Sequence, residues 1–117
     1  MILNELREKL EQVDPVVFYG MVDNRIKETI WDYTVFNRTR LKSATNKTGY
    51  TDYFDIHIVR ENFIPEGLDT EIIAKVLEID GMRLASDDGI YTYVEKNNTN
   101  TVVEMLTLSF MRARKNA

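Results

Sequence analysis

Apolar and polar positions alternate along the chain with two different periods. Apolar residues recur every three or four positions from Leu3 to Val13, with charged residues between them, which predicts an amphipathic helix over residues 2 to 13. Pro15 ends this helix, because the residue before a proline is pushed away from helical dihedrals. The same spacing returns later and predicts a second helix over residues 66 to 79.

The other apolar segments have the alternation, or the β-branched and aromatic composition, of strands. They cover residues 16–22, 29–41, 52–60, 82–85, 90–95 and 101–112. The Asp23-Asn24 pair predicts a turn, and therefore a hairpin, between the first two strands. We predict one α+β domain over residues 1 to 117, a two-layer sandwich in which a mainly antiparallel sheet carries both helices on one face, in the order α-β-β-β-α-β-β.

The last predicted strand carries apolar side chains on both of its faces. At about 3.3 Å per residue it would be about 40 Å long, whereas a compact globule of this size is about 35 Å across. Its even positions can face a core, while its odd face needs cover from a helix of the same chain or from another subunit. The candidate subunit-contact residues on that outer face are Val103, Met105, Ser109, Met111, Tyr91 and Tyr93.

The composition restricts the classes of function. A formal charge of −4 and a pI near 5.0 argue against a general nucleic-acid binder. The absence of cysteine removes disulfides, thiolate metal sites and thiol nucleophiles. No basic segment followed by an apolar run begins the chain, and no run approaches the roughly 18 apolar residues of a membrane span, so we expect synthesis in the cytoplasm.

Two groups of residues could carry chemistry, and neither matches a motif. Asp55 and His57 have the spacing of half a catalytic pair, but no recognisable nucleophile accompanies them, which favours a structural role. Asp80, Asp87 and Asp88 could bind a hard cation, but their spacing is that of ordinary turn residues. The glycines form no phosphate cradle. We therefore expect no catalytic residue, no metal and no cofactor.

Two basic clusters stand out in this acidic chain. One comprises Arg38, Arg40, Lys42 and Lys47 beside a polar loop, and the other comprises Arg112, Arg114 and Lys115 near the end. Each cluster could contact phosphate or an acidic protein surface. The simpler interpretation is that these residues are solvated at the end of a strand. The candidate partner-contact residues of the loop are Arg40, Lys42, Asn46, Lys47 and Tyr50.

Several phrases, in order along the chain, resemble the tail terminator, or tail completion, proteins of long-tailed phages and Gram-positive prophages. They are Val-Phe-Tyr-Gly at 17–20, Tyr33-Thr-Val-Phe-Asn-Arg38, Tyr53-Phe-Asp-Ile-His-Ile-Val-Arg60, Ile64-Pro-Glu, Tyr91-Thr-Tyr-Val-Glu-Lys96 and Val103-Glu-Met-Leu-Thr-Leu-Ser-Phe-Met-Arg112. The likeness extends over nearly the whole chain and includes length and element order. No single residue role transfers with it.

The resemblance implies a structural virion protein and not an enzyme. Such a protein forms a hexameric ring on the end of the tail tube, stops tube polymerisation and presents a surface to the head connector. Its expected partners are further copies of itself, the major tail tube protein and a connector or stopper protein. DNA would only pass through the lumen, and no membrane is involved. The expected location is the tail or neck of a virion made in the cytoplasm of a bacterial host.

Three alternatives remain open on the sequence. A head-completion or connector adaptor protein of the phage neck belongs to the same assembly class. A small enzyme would use Asp55, His57 and a neighbouring carboxylate. A nucleic-acid-binding module would use the two basic clusters, and its binding would depend steeply on salt.

Overall fold

The computed structural model describes residues 2–22, 31–43, 49–96 and 100–115. Its helices are α1 (Ile2–Glu11) and α2 (Leu68–Val76). Its strands are β1 (Val17–Tyr19), β2 (Tyr33–Ser43), β3 (Gly49–Glu61), β4 (Met82–Leu84), β5 (Ile90–Lys96) and β6 (Thr101–Lys115). The α+β class and the order of elements are confirmed, and the short predicted strand after α2 is present as β4.

One six-stranded sheet contains all of these strands. The order is β1-β2-β3-β6-β4, and β5 also pairs with β6. Strand β3 follows one edge of β6 along nearly its full length, whereas β4 and β5 share the opposite edge. Because β2, β3 and β6 are long and paired throughout, they form a ribbon, and the molecule measures 53 × 28 × 23 Å.

Both helices lie on one face of the sheet, as predicted. The main core joins them to alternate residues of the three long strands, and its fully buried members include Leu6, Leu10, Phe36, Phe54, Ile56, Ile58, Ile72, Val76 and Phe110. At the surface, Lys9 of α1 also pairs with Glu78, just beyond the end of α2, with Lys9 Nζ 2.8 Å from Glu78 Oε1. We call the sheet face opposite the helices the outer face.

Strand β1 pairs with β2 in parallel, so the predicted hairpin between them is wrong. The hydrogen bond from Thr34 N to Val16 O (3.0 Å) begins this parallel pairing. A run of apolar residues indicates a strand but carries no information about its direction, and the Asp23-Asn24 turn signal lies outside the described residues. Contacts far apart in sequence decide the direction instead.

A buried ion pair fixes the entry into β1. Asp14 is 2% exposed, and its Oδ2 accepts hydrogen bonds from Thr34 Oγ1 (2.6 Å) and Arg60 Nη2 (2.8 Å). Its Oδ1 accepts from the backbone N–H of Val16 (3.1 Å). Arg60 also donates to the carbonyl oxygens of Tyr33 and Val59. From the sequence, Asp14 was only the residue at the end of the first helix. In the structure its side chain connects the end of α1 to β2 and β3.

A second apolar cluster covers part of the outer face. Its buried residues are Tyr33, Val35, Val59 and Val103, and Val16, Phe18, Val22, Trp31 and Met105 pack against them. The expectation that the odd face of β6 needs a helix or another subunit is therefore wrong at this end of the strand. Residues around β1, distant in sequence from β6, supply the cover.

Candidate interaction surfaces

A row of hydrogen-bonded polar side chains crosses the middle of the outer face. His57 Nδ1 lies 2.8 Å from Thr107 Oγ1, and His57 Nε2 lies 3.2 Å from Asn37 Oδ1. Because an amide oxygen can only accept, Nε2 carries the proton and Nδ1 accepts from the threonine hydroxyl. Ser109 Oγ donates to Asp55 Oδ1 at 2.8 Å. Both nitrogens of the imidazole are thus occupied by uncharged partners, and Asp55 is bonded elsewhere, which favours the structural interpretation.

Burial lowers the pKa of His57 below its usual 6.5, and the nearby Asp55 carboxylate opposes this shift without reversing it. The unfolded chain therefore takes up a proton near pH 6.5 that the folded chain accepts only at lower pH. Stability from this residue is present above pH 6.5 and is lost as the pH falls from 6.5 towards the folded value.

We expect the free energy of unfolding to fall more for wild type than for His57→Gln as the pH is lowered from 7.5 to 5.5. Urea denaturation across this interval measures both proteins, and their difference removes the contribution of the carboxylates. A difference that is flat, or that favours the wild type at acidic pH, would contradict the lowered pKa.

A shallow hollow of about 440 Å³ lies on the outer face beside this row. It is lined by Met21, Val22, Tyr33, Val35, His57, Val59 and Met105. The lining contains no Asp, Glu, Lys or Arg, so it suits an apolar side chain better than a charged ligand.

The register of β5 separates residues that were predicted to lie together. Tyr91 opposes Leu106 and Tyr93 opposes Glu104, so both tyrosines lie on the helix side of the sheet. The prediction that they share the outer face with Met105 is wrong. Alternation within one strand shows which residues share a face of the sheet. It does not show which of the two faces they occupy, because this depends on the register of pairing with the neighbouring strand.

The apolar side chains of β5 are exposed on both of its faces. Ile90, Tyr91, Tyr93 and Val94 are 57%, 48%, 59% and 58% exposed. Tyr93 Oη donates a hydrogen bond to Glu104 Oε2 at 2.8 Å, and this bond raises the pKa of Tyr93. In the described part of the chain only β6 pairs with β5. A strand edge with four exposed apolar residues is typical of a contact surface.

The six predicted subunit-contact residues do not form one surface. Val103 is 2% exposed within the second apolar cluster, so the prediction that it is available for contact is wrong. Met105, Ser109 and Met111 lie half-buried on the outer face, away from the two tyrosines. Contacts through these three residues and through Tyr91 and Tyr93 stay predictions.

The two basic clusters meet at one end of the long ribbon. We call this end the basic tip, comprising Arg38, Arg40, Lys42, Arg112 and Arg114. The pairing shifts by one residue between Arg38 and Arg40, which places Arg40 on the outer face although Arg38 lies on the helix side. The tip therefore presents positive charge on both sides of the sheet. Sequence alternation alone cannot predict this bulge.

Three of the five predicted partner-contact residues lie in strands. Strands β2 and β3 stay paired as far as Ser43 opposite Tyr50, so Arg40, Lys42 and Tyr50 belong to strands. Asn46 and Lys47 lie outside the described residues. The Arg40 guanidinium lies 4.0 Å from the centre of the Tyr53 ring, and Arg114 lies 5.5 Å from that of Tyr50.

The charge of the chain is strongly segregated. Residues 37–53 and 111–117, which contain the basic tip, hold seven of the 15 Lys and Arg residues but only one of the 19 Asp and Glu residues, Asp52. These segments carry a formal charge of +6, and the remainder carries −10. Arg114 Nε lies 3.5 Å from Asp52 Oδ2, so even this carboxylate is partly neutralised.

Two classes of site can be examined directly in the described residues. No three of their His, Asp and Glu side chains are grouped closely enough to hold a metal ion, and this includes Asp80, Asp87 and Asp88. None of the helices described there is both long and apolar enough to cross a membrane.

Comparison with known proteins yields a likeness of fold. No protein-family model and no curated protein matches the sequence. Among solved structures, the chain is similar to a chain of the virion of a native gene transfer agent particle, with a TM-score of 0.52 and 11% sequence identity. The match covers 98% of this chain and 92% of that chain. At this identity the likeness shows the fold alone.

Proposed function

We propose that this protein is a structural component of a phage-like particle. More specifically, we propose a tail terminator that forms a ring on the tail tube, stops tube polymerisation and joins the tail to the head connector. The observation that carries the proposal is the fold shared with a gene transfer agent virion chain, which extends over nearly the full length of both chains.

The surfaces described above support an assembly role over a catalytic one. Four exposed apolar residues lie together on β5, and positive charge is concentrated at the basic tip. By contrast, both ring nitrogens of His57 are hydrogen-bonded to side chains of the same chain. A protein that binds neighbours at several places needs separate surfaces of this kind. Contact of Asn46 and Lys47 with the tail tube or connector is part of this proposal.

An adaptor of the head connector is the second candidate, since it would have the same fold likeness and the same kinds of surface. The two differ in the structure to which the protein remains attached. Tail terminators stay on tails that lack heads, and adaptors stay on heads that lack tails.

The test is deletion of the gene in a particle-producing strain, followed by electron microscopy. We expect heads without tails and tubes longer than normal, because nothing stops polymerisation. Purified protein mixed with the tube protein should form rings at tube ends in negative stain. Normal particles in the deletion strain would overturn the proposal, and tubes of normal length with empty necks would favour the adaptor.

The variant His57→Ala tests the enzyme alternative. We expect it to support particle formation, whereas loss of particles would be the result if His57 had a catalytic role.

A further inference from the structure

We propose that the basic tip of one copy of this chain docks against β5 and its acidic surroundings on a second copy. This inference rests on the proposed ring and names the contact between its subunits. It differs from the predicted assignment of Arg40 and Lys42 to the tail tube or connector. In this proposal the main contact between subunits is made by the basic tip and β5, and not by the outer face of β6 as the sequence predicted.

The two surfaces lie at opposite ends of the same strand. Strand β5 pairs with β6 from Thr101 to Thr107, whereas Arg112 and Arg114 lie near the other end of β6. Ten residues separate Glu104 from Arg114, which corresponds to about 34 Å in an extended strand. At that distance the exposed residues of β5 beside Glu104 are out of reach of Arg114 of the same copy, so a contact between them requires a second copy. Asp87 and Asp88 lie nearer to the tip, since Leu108, which lines the same hollow as they do, is four residues from Arg112.

The charges of the two ends are complementary. Exposed carboxylates Asp87, Asp88 and Glu95 precede or end β5. They belong to the part of the chain that carries −10, and the tip belongs to the part that carries +6. Opposed surfaces of this kind attract each other and fix the orientation of docking.

A small hollow beside β5 has the chemistry to receive an arginine. It measures about 200 Å³ and lies between α2 and the turn that precedes β5. Asp69, Asp87 and Asp88 line it together with Tyr91, over an apolar floor that includes Leu106. An arginine buries its aliphatic stem on apolar surface while its guanidinium contacts an aromatic ring and a carboxylate. Four of the five residues of the tip are arginines.

The tip is better suited to an acidic protein surface than to nucleic acid. Its two tyrosines, Tyr50 and Tyr53, already contact Arg114 and Arg40 of the same chain and do not form a free platform for bases. Leu41, 54% exposed, adds an apolar contact that matches the apolar residues of β5.

This contact would repeat from copy to copy. Because the two surfaces differ, the contact is heterologous, and such contacts either close into a ring or continue as a filament. The elongated ribbon would then link the acidic body of each subunit to the tip of the next.

Cross-linking detects this contact even where assembly is weak. The chain has no cysteine, so Ser43→Cys at the tip and Thr92→Cys on β5 introduce unique thiols at exposed polar positions. An equimolar mixture of the two variants, treated with a short bis-maleimide, should give heterodimer at least about tenfold faster than a control mixture of Ser43→Cys with Glu11→Cys. Because the Debye length shortens from about 10 Å to about 3 Å between 0.1 M and 1 M salt, the excess should disappear at high salt. Equal rates for the two mixtures would overturn the proposal.

Charge reversal tests the same contact in solution. The tip variant carries Arg38→Glu and Lys42→Glu, and the strand variant carries Asp88→Lys and Glu95→Lys. Each alone should weaken self-association at least about tenfold, measured by sedimentation. A chain that carries all four substitutions should associate as wild type does, which misfolding cannot explain. The control Glu5→Lys with Glu11→Lys reverses the same number of charges on α1 and should have no effect.

The outcomes separate this inference from the proposed function. If rings form on tail tubes and neither reversal affects them, the subunit contact is wrong and the tail terminator role stands. If the tip variant loses binding to duplex DNA but self-associates normally, the tip binds phosphate and the inference fails. If the reversals behave as expected but the deletion strain makes normal particles, the contact is correct and the tail terminator role is wrong.

Discussion

Asp14→Ala is expected to lower the free energy of unfolding by about 3 to 5 kcal/mol, measured by urea denaturation at pH 7. The substitution leaves the Arg60 guanidinium, 13% exposed, without the carboxylate that it contacts at 2.8 Å. It also removes the acceptor for Thr34 Oγ1 and for the Val16 N–H. Breaking a buried pair from one side costs this much because the remaining charge stays desolvated.

Two further variants separate the charge from the rest of the cluster. Asp14→Ala combined with Arg60→Met should recover part of the loss, because no uncompensated charge then remains buried. Lys9→Ala breaks the exposed pair with Glu78 and should cause no comparable loss. If Asp14→Ala cost no more than Lys9→Ala, the buried pair would not be holding β1 in place.

Alternation of apolar residues predicted the helices and the long strands well, because each of them has one buried face. The even residues of β3 and β6, such as Ile56 and Leu108, pack on the helices as the pattern indicates. The parallel pairing of β1 was not predictable in this way. It depends on Asp14 meeting Thr34 and Arg60, which lie 20 and 46 residues further along the chain.

The surfaces were harder to predict than the core. Val103 was expected to be exposed because no residue near it in sequence could cover it, and the cover comes from Val59 and the segment around β1. Tyr91 was predicted on the wrong face because the alternation of residues in β5 does not determine its register with β6. The two basic clusters, which looked independent, come together only because β3 pairs with both β2 and β6.

The structure also changes how the long terminal strand is understood. Its apolar character on both faces was expected to reflect contact with another subunit. At the beginning of the strand, the outer-face residues Val103 and Met105 are covered by other residues of the same chain. A group of four exposed apolar residues lies instead on its neighbour β5, between Ile90 and Val94. Strand β6 is therefore the central element that positions β5 at one end and the basic tip at the other.

Phe110→Ala is expected to lower the free energy of unfolding by about 3 to 5 kcal/mol, as for other large-to-small substitutions in a core. Phe110 is fully buried and lies opposite Phe54 in β3 and Leu84 in β4, so its removal leaves a cavity where three strands meet. The matched control is Phe63→Ala, since Phe63 is 68% exposed and its removal should change stability by no more than about 0.5 kcal/mol. Thermal unfolding of both variants beside wild type measures the contrast. Similar losses for the two phenylalanines would contradict the position of Phe110 in the main core and, with it, the register of β6 on which both proposed contact surfaces depend.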